Sequence, residues 1–179
     1  MTRLRYILWF AVGAAGLMFG LLAYQLQNKD GSDFVKSAAI GQRVPAFDLP
    51  PMVEARPGLS STDLADGTPK LLNVFASWCI PCAAEAPQLE ALERQGAQIV
   101  AVAIRDEAGD VNRFLAQYGN PFSRIGSDPI AEVQILLGSA GVPETFVIDG
   151  NGVVTYQHIG DIRDSDIPVL LAELEKAAR

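Results

Sequence analysis

Both cysteines of this chain sit in one short stretch, Trp78-Cys79-Ile80-Pro81-Cys82. Such a pair can be a structural staple, half of a metal site, a haem attachment point or a working dithiol. As a staple it is poor, because closing so short a loop removes little entropy from the unfolded chain. A zinc site needs further ligands that the single histidine, His158, cannot supply alone. Haem attachment needs His directly after the second cysteine, where Ala83 stands. Redox chemistry fits better. A helix beginning at Cys79 would turn its amides and dipole on that sulfur and favour the thiolate, making Cys79 the nucleophile. Cys82, one turn later and deeper, is placed to resolve the mixed disulfide. Pro81 fixes φ in the first turn, where its missing N–H costs nothing, and Trp78 is placed to cover the pair. A structural disulfide and a metal site stay open on spacing alone.

The elements that must hold this pair can be read on either side. Leu71 to Ala76, "LLNVFA", is an apolar run of strand length, and helix formers follow from about Cys79 through Arg94 until Gly96. Pro87 inside that helix predicts a kink. "QIVAVAI", Gln98 to Ile104, reads as a second buried strand. Asp110 is expected to cap a helix with Val111, Phe114, Leu115 and Tyr118 on its apolar face, and a short helical segment spans about Ile130 to Leu137. "ETFVID", a Gly150-Asn151-Gly152 turn and "VVTYQHI" predict a hairpin. An amphipathic helix from Asp164 to Ala178 closes the chain, capped near Asp164 or Ser165. Met52 to Lys70 reads mostly as loop. This order implies a mixed sheet flanked by helices, an α/β fold.

Composition narrows the class. Hydrophobic residues make up 49% and charged ones 20%, the proportions of a folded chain. A net charge of −7 with no basic patch argues against nucleic acid as a partner. Arg3 and Arg5 precede an uncharged run from Tyr6 to Asn28, and about 20 apolar residues suffice to span a bilayer. A cleaved signal peptide is the rival reading. The run outlasts a typical signal core and no small-x-small site closes it, so an uncleaved anchor is expected. The basic end stays cytoplasmic, which in a bacterium puts the rest in the periplasm. The expected division is 1–28 for the cytoplasmic tip and transmembrane anchor, 29–40 for a spacer and 41–179 for the redox domain.

With "GVPETFVIDGNGVV" following "FASWCIPCAAEAPQL", the chain resembles the thioredoxin superfamily. More closely it is similar to the membrane-anchored thiol:disulfide interchange proteins of cytochrome c maturation, the CcmG/DsbE family. "IGQRVPAFDL", "YGNPF" and "GVPETFVIDGNGVVTYQHIGDI" extend the likeness over nearly the whole chain. It implies a thioredoxin-like fold behind one N-terminal transmembrane helix. It also implies that Cys79 is the exposed attacking thiol, Cys82 the resolving one, and Pro143 a cis-proline beside them. Val142 would offer backbone hydrogen bonds to a thiol peptide. Glu85 and Glu144 match acidic positions that the family places near its active site. A carboxylate there could take the proton of Cys82 or raise the thiol pKa values. Where the family usually has Gly-Val-x-Gly, this chain has Gly138-Ser139-Ala140-Gly141.

The function implied is that of a disulfide reductase at the bacterial inner membrane, crossing it once. It would carry electrons from a membrane thiol donor to apocytochrome c or its maturation partners. No metal and no cofactor beyond the Cys79–Cys82 disulfide are expected. Two rivals remain. A general periplasmic thiol-disulfide oxidoreductase would share the same residues. A copper-binding chaperone would join both thiolates to His158, since soft sulfur suits Cu(I). His158 reads more simply as a residue of an alternating strand.

Overall fold

The computed structural model describes residues 2–27 and 37–179. Two units separate along the chain, dividing between Val35 and Lys36. The first is a single helix, α1 (Thr2–Gln27). Its stretch Arg5–Gln25 has a mean hydropathy of 2.0 and none of it is buried, so it is long and apolar enough to cross a membrane. The expected spacer is shorter at its far end. Residues 29–36 lie outside the described ones, while Ser37 is buried and Ala39 packs on the core of the second unit.

In that unit β1 (Asp48–Leu49) and β2 (Leu59–Ser60) form a small antiparallel pair. The main chain then runs β3 (Lys70–Phe75), α2 (Ile80–Arg94), β4 (Ile99–Ile104) and α3 (Ala108–Tyr118). It continues through β5 (Arg124–Asp128), α4 (Glu132–Leu136), β6 (Glu144–Ile148), β7 (Val154–Ile159) and α5 (Ile167–Ala177). The strand order is β5-β4-β3-β6-β7, parallel from β3 to β5 and antiparallel across β3-β6-β7. The unbroken apolar runs of β3 and β4 make the centre, buried along their whole length.

Side chains alternate between the two faces of this sheet. On one face Asn73 and Phe75 of β3 point towards α2 and α3: the Phe75 ring lies 5.7 Å from Phe114 and 5.1 Å from Phe122, and α2 also packs on α5. The other face carries Val74, Val102, Gly126 and Glu144, aligned in register. There the β1–β2 pair presses in. A Cβ on Gly126 would stand 2.8 Å from the Leu49 side chain, so only glycine lets the strands approach.

Three sequence expectations change. β5 was not foreseen. The third helix begins at Ala108 behind an extended Glu107, and Asp110 sits in its first turn paired with Arg113 instead of capping it. The last helix starts at Ile167, because Asp164 and Asp166 are spent on Gln88 and on the Arg163 amide in the preceding loop. His158 lies in β7, its Nε2 3.9 Å from Asp166.

Candidate active site

β3 ends at Phe75, and the following loop delivers Cys79 as the N-cap of α2, with extended backbone at φ −88° and ψ 108°. Pro81 lies in the first turn, where a helix has no use for its N–H. The Cys82 amide donates to Cys79 Sγ at 3.2 Å. This is one of the orphan amides that every helix N-terminus presents, here directed at sulfur. Cys79 and Cys82 are joined in a disulfide. In this oxidised state Cys79 is not the exposed residue expected from the resemblance. It is 5% accessible against 2% for Cys82, whereas its neighbours Trp78 and Ile80 are 57% and 85% exposed. Bonding leaves each sulfur shielded by the other, and the N-cap position sinks Cys79 below the residues that flank it.

The loop ahead of Cys79 is fastened by residues that sequence reasoning missed. The Asp106 carboxylate accepts from the Ser77 amide, from the Ser77 hydroxyl at 2.8 Å and from the Glu107 amide at 2.9 Å. Trp78 Nε1 donates to the Arg105 carbonyl at 3.1 Å. Trp78 is thus tied to the β4–α3 loop, and Arg105 holds a left-handed backbone at φ 47° to present that carbonyl. A strained, exposed arginine cannot be read from sequence, but an Asp two residues past a buried strand is a recognisable signal.

One turn past Cys82, Glu85 points into the interior and is 0% exposed. Asn73 Nδ2 donates to its Oε1 at 2.9 Å and the Ile162 amide to its Oε2 at 3.0 Å. Asn73 also donates to Thr145 Oγ1 at 3.0 Å, so strands β3 and β6 both brace the carboxylate. Burial dominates its titration and lifts it from an ordinary 4.5 to about 7, with Asp161 adding to the rise and the Ile162 and Asn73 donors opposing it. Cys82, Asn73 and Glu85 line a void of about 10 Å³ together with apolar groups such as Phe75, Leu89 and Phe114. Such a space has room for a single water at most.

Glu144 behaves differently. Thr145, bonded to Asn73, faces α2; its neighbour Glu144 therefore faces the opposite side of the sheet. It is 1% exposed, accepts from Gln157 Nε2 through Oε1, and leaves Oε2 without a hydrogen-bond partner. Burial raises its pKa; the Ser139 hydroxyl, Gln157 and the Ala140 amide draw it partly back. The structure thus brings Glu85, and not Glu144, to the α2 side under Cys82. Just before Glu144, the Val142–Pro143 peptide bond is cis. Because Glu144 pairs with Val74 in antiparallel register, this loop runs alongside the end of β3 from which Cys79 emerges. Among the described residues, neither the amide nor the carbonyl of Val142 has a hydrogen-bond partner, and its side chain is only partly buried. That is a free stretch of backbone alongside the end of the strand that leads to the disulfide.

Among the described residues no three His, Cys, Asp or Glu side chains gather as metal ligands, and His158 lies near Asp166.

The protein-family comparison matches the Redoxin model over residues 39–174. The thiol:disulfide interchange protein DsbE of Yersinia pestis is 37% identical over 150 residues, covering 83% of this chain and 80% of that one. HelX of Rhodobacter capsulatus, also a thiol:disulfide interchange protein, is 36% identical over 144 residues, covering 80% and 81%. Among solved structures, a DsbE thiol:disulfide interchange protein from Chlorobium tepidum superposes with a TM-score of 0.67 at 32% identity, covering 78% of this chain and 98% of that one. With a thioredoxin-like sheet and a disulfide at the N-terminus of α2, the chain belongs to the Redoxin family, as a thiol-disulfide oxidoreductase of the DsbE/HelX kind.

Proposed function

We propose that this oxidoreductase works as a reductant held at the periplasmic face of the inner membrane. It passes electrons from a membrane thiol carrier to the disulfide of apocytochrome c, or of its maturation partners, before haem attachment. Residues 1–28 serve as tip and anchor, with Arg3 and Arg5 keeping that end cytoplasmic. The folded domain carries the Cys79–Cys82 pair and needs no other cofactor. The resemblance to cytochrome c maturation proteins supports the choice of acceptor.

The observation that carries the direction of electron flow is the buried carboxylate beneath Cys82. A thioredoxin-like protein is oxidising when its thiolate form is stabilised. A carboxylate buried on the same small void as the resolving sulfur disfavours a second negative charge there, which raises the thiol pKa and favours handing electrons on.

The cycle then follows. A dithiol of the carrier reduces the Cys79–Cys82 disulfide, giving two electrons and two protons and becoming a disulfide itself. The Cys79 thiolate, favoured by the Cys82 amide and the helix dipole, attacks one sulfur of the acceptor. The new S–S bond expels the acceptor's other sulfur as a thiolate. Val142 holds the acceptor backbone in line. Cys82 next yields its proton across this small void to Glu85, which gives it up to solvent before the next turnover, and attacks Cys79. The second acceptor sulfur leaves as a thiolate, and both acceptor thiolates take up protons from solvent.

The test is to incubate the reduced protein with a peptide carrying Cys-x-x-Cys-His as a disulfide, and to measure the reduction potential of the Cys79–Cys82 pair. Stoichiometric reduction of the peptide supports the proposal. A potential in the range of strong periplasmic oxidants, or a peptide left oxidised, refutes it.

A further inference from the structure

Ser37 is the first described residue after the stretch joining α1 to the domain, and it is buried to 6% accessibility. Its hydroxyl donates to the Leu137 carbonyl, at the C-terminal end of α4, and accepts from the Ala39 amide at 2.9 Å. Helix ends leave carbonyls without partners, and Ser37 supplies one from far away in sequence. The next residue, Gly138, has φ +64°, and a Cβ there would stand 3.1 Å from Ser37 Oγ. The positive φ favours glycine, and the absent side chain leaves Ser37 Oγ its place.

The backbone amide of Ser37 does something else. It donates to Gln157 Oε1 at 2.7 Å. A glutamine side chain has one acceptor end and one donor end, so this bond turns the Gln157 amide nitrogen towards Glu144, to which it donates. Reversing the amide would set N–H against N–H at Ser37 and oxygen against oxygen at Glu144. Among the described residues Gln157 donates to Glu144 Oε1, with the Ser139 hydroxyl and the Ala140 amide as the carboxylate's other polar neighbours.

The segment Leu137–Glu144 is thus held at both ends by one chain of bonds that passes through Ser37, and Val142 with its free backbone lies between the ends. We infer that Ser37 and Gln157 are positioning residues for peptide exchange, fixing the segment that presents Val142 to an incoming disulfide. The inference rests on the function proposed above, which gives Val142 a peptide to hold. It separates two kinds of substrate. A small disulfide needs only Cys79 and Cys82, whereas a peptide disulfide also needs the Val142 backbone in place.

The experiment uses the reduced full-length chain in detergent micelles, as wild type, Ser37→Ala and Gln157→Leu. Each is reacted with hydroxyethyl disulfide and with a peptide bearing an internal Cys-x-x-Cys-His disulfide. Both variants are expected to lose about tenfold in the ratio of limiting rate to half-saturating peptide concentration, with the change in half-saturation and the limiting rate kept. Their rates with hydroxyethyl disulfide are expected to stay within about twofold of wild type, which also shows that the dithiol region is folded. Parallel losses with both substrates, or no loss with the peptide, overturn the inference. Hydrogen exchange at the amides of residues 138–142 is the second measurement, and it is expected to speed up in both variants. If wild type itself ignores the peptide, the proposed function fails. The inference is then decided by hydrogen exchange alone, and unchanged protection at these amides overturns it.

Discussion

Glu85→Gln separates the cost of burying a carboxylate from what that carboxylate does for Cys82. In the folded chain Glu85 titrates at about 7 against an ordinary 4.5. At about 1.4 kcal/mol per tenfold in proton affinity, the ionised form costs the fold about 3 kcal/mol. The sign follows from which state holds the proton. Below the unfolded value both states are protonated and nothing is lost. Between 4.5 and about 7 the unfolded chain ionises first, so wild-type stability falls as pH rises. Above that window both states are ionised and the loss is complete. The variant has no such slope. Its carbonyl can still accept the Ile162 amide, and its new NH₂ group can be met by turning Asn73, whose Oδ1 has no hydrogen-bond partner. Denaturant unfolding of the oxidised domain from pH 4 to 9 should show the variant near wild type at the acid end. It should be more stable by about 3 kcal/mol at the alkaline end. With the same substitution, release of the peptide from its mixed disulfide with Cys79 should slow about 100-fold, the scale of a lost general base. A stability difference that does not move with pH would refute the buried-carboxylate reasoning. An unchanged release rate would remove Glu85 from the proton path.

Cys79→Ser should abolish exchange, while Cys82→Ser should accumulate mixed disulfides on Cys79, both read by mass spectrometry under non-reducing conditions; trapping by the Cys79 variant would reverse the assignment. Asp106→Ala leaves the Ser77 amide and hydroxyl without their partner, and should cost about 1–3 kcal/mol in unfolding and slow the attack of Cys79; an unchanged attack rate would show that the loop ahead of Cys79 keeps its geometry unaided. Deleting residues 1–28 should give a domain that stays in solution without detergent and still exchanges with small disulfides; an inert or insoluble product would show that the apolar helix belongs to the fold.

Much of the scaffold was legible because its centre is made of local signals. "LLNVFA" and "QIVAVAI" are apolar runs of strand length, as buried central strands have, and the Gly-Asn-Gly turn announces the β6–β7 hairpin. β5 was hidden for the opposite reason. Arg124–Asp128 carries one large apolar residue, Ile125, and becomes a strand because β4 offers it a parallel edge while Leu49 and Leu59 cover Gly126. The same division runs through the site. The positions of Cys79, Pro81 and Cys82 follow from helix-terminus chemistry alone. That Glu85 turns inward is set by Asn73 on a neighbouring strand and Ile162 on a loop after β7. The lone Asn in the middle of an apolar strand was the available clue, since a polar side chain buried there must find a partner.

The two buried glutamates divide the work because a strand cannot send neighbouring residues to the same side. Thr145 joins Asn73 and Glu85 beneath α2, so Glu144 must face away from it. Glu85 and Cys82 line the same small void, where the proposed proton transfer would take place. Glu144 has no such route; its carboxylate meets Gln157 and sits at the foot of the loop that carries Val142 and Pro143. Any influence of Glu144 on exchange therefore has to pass through the shape of that loop. On the function proposed above, proton transfer and peptide alignment fall on opposite faces of one sheet. The dithiol follows the end of β3, a strand with both faces buried and so in contact with both sides of the sheet.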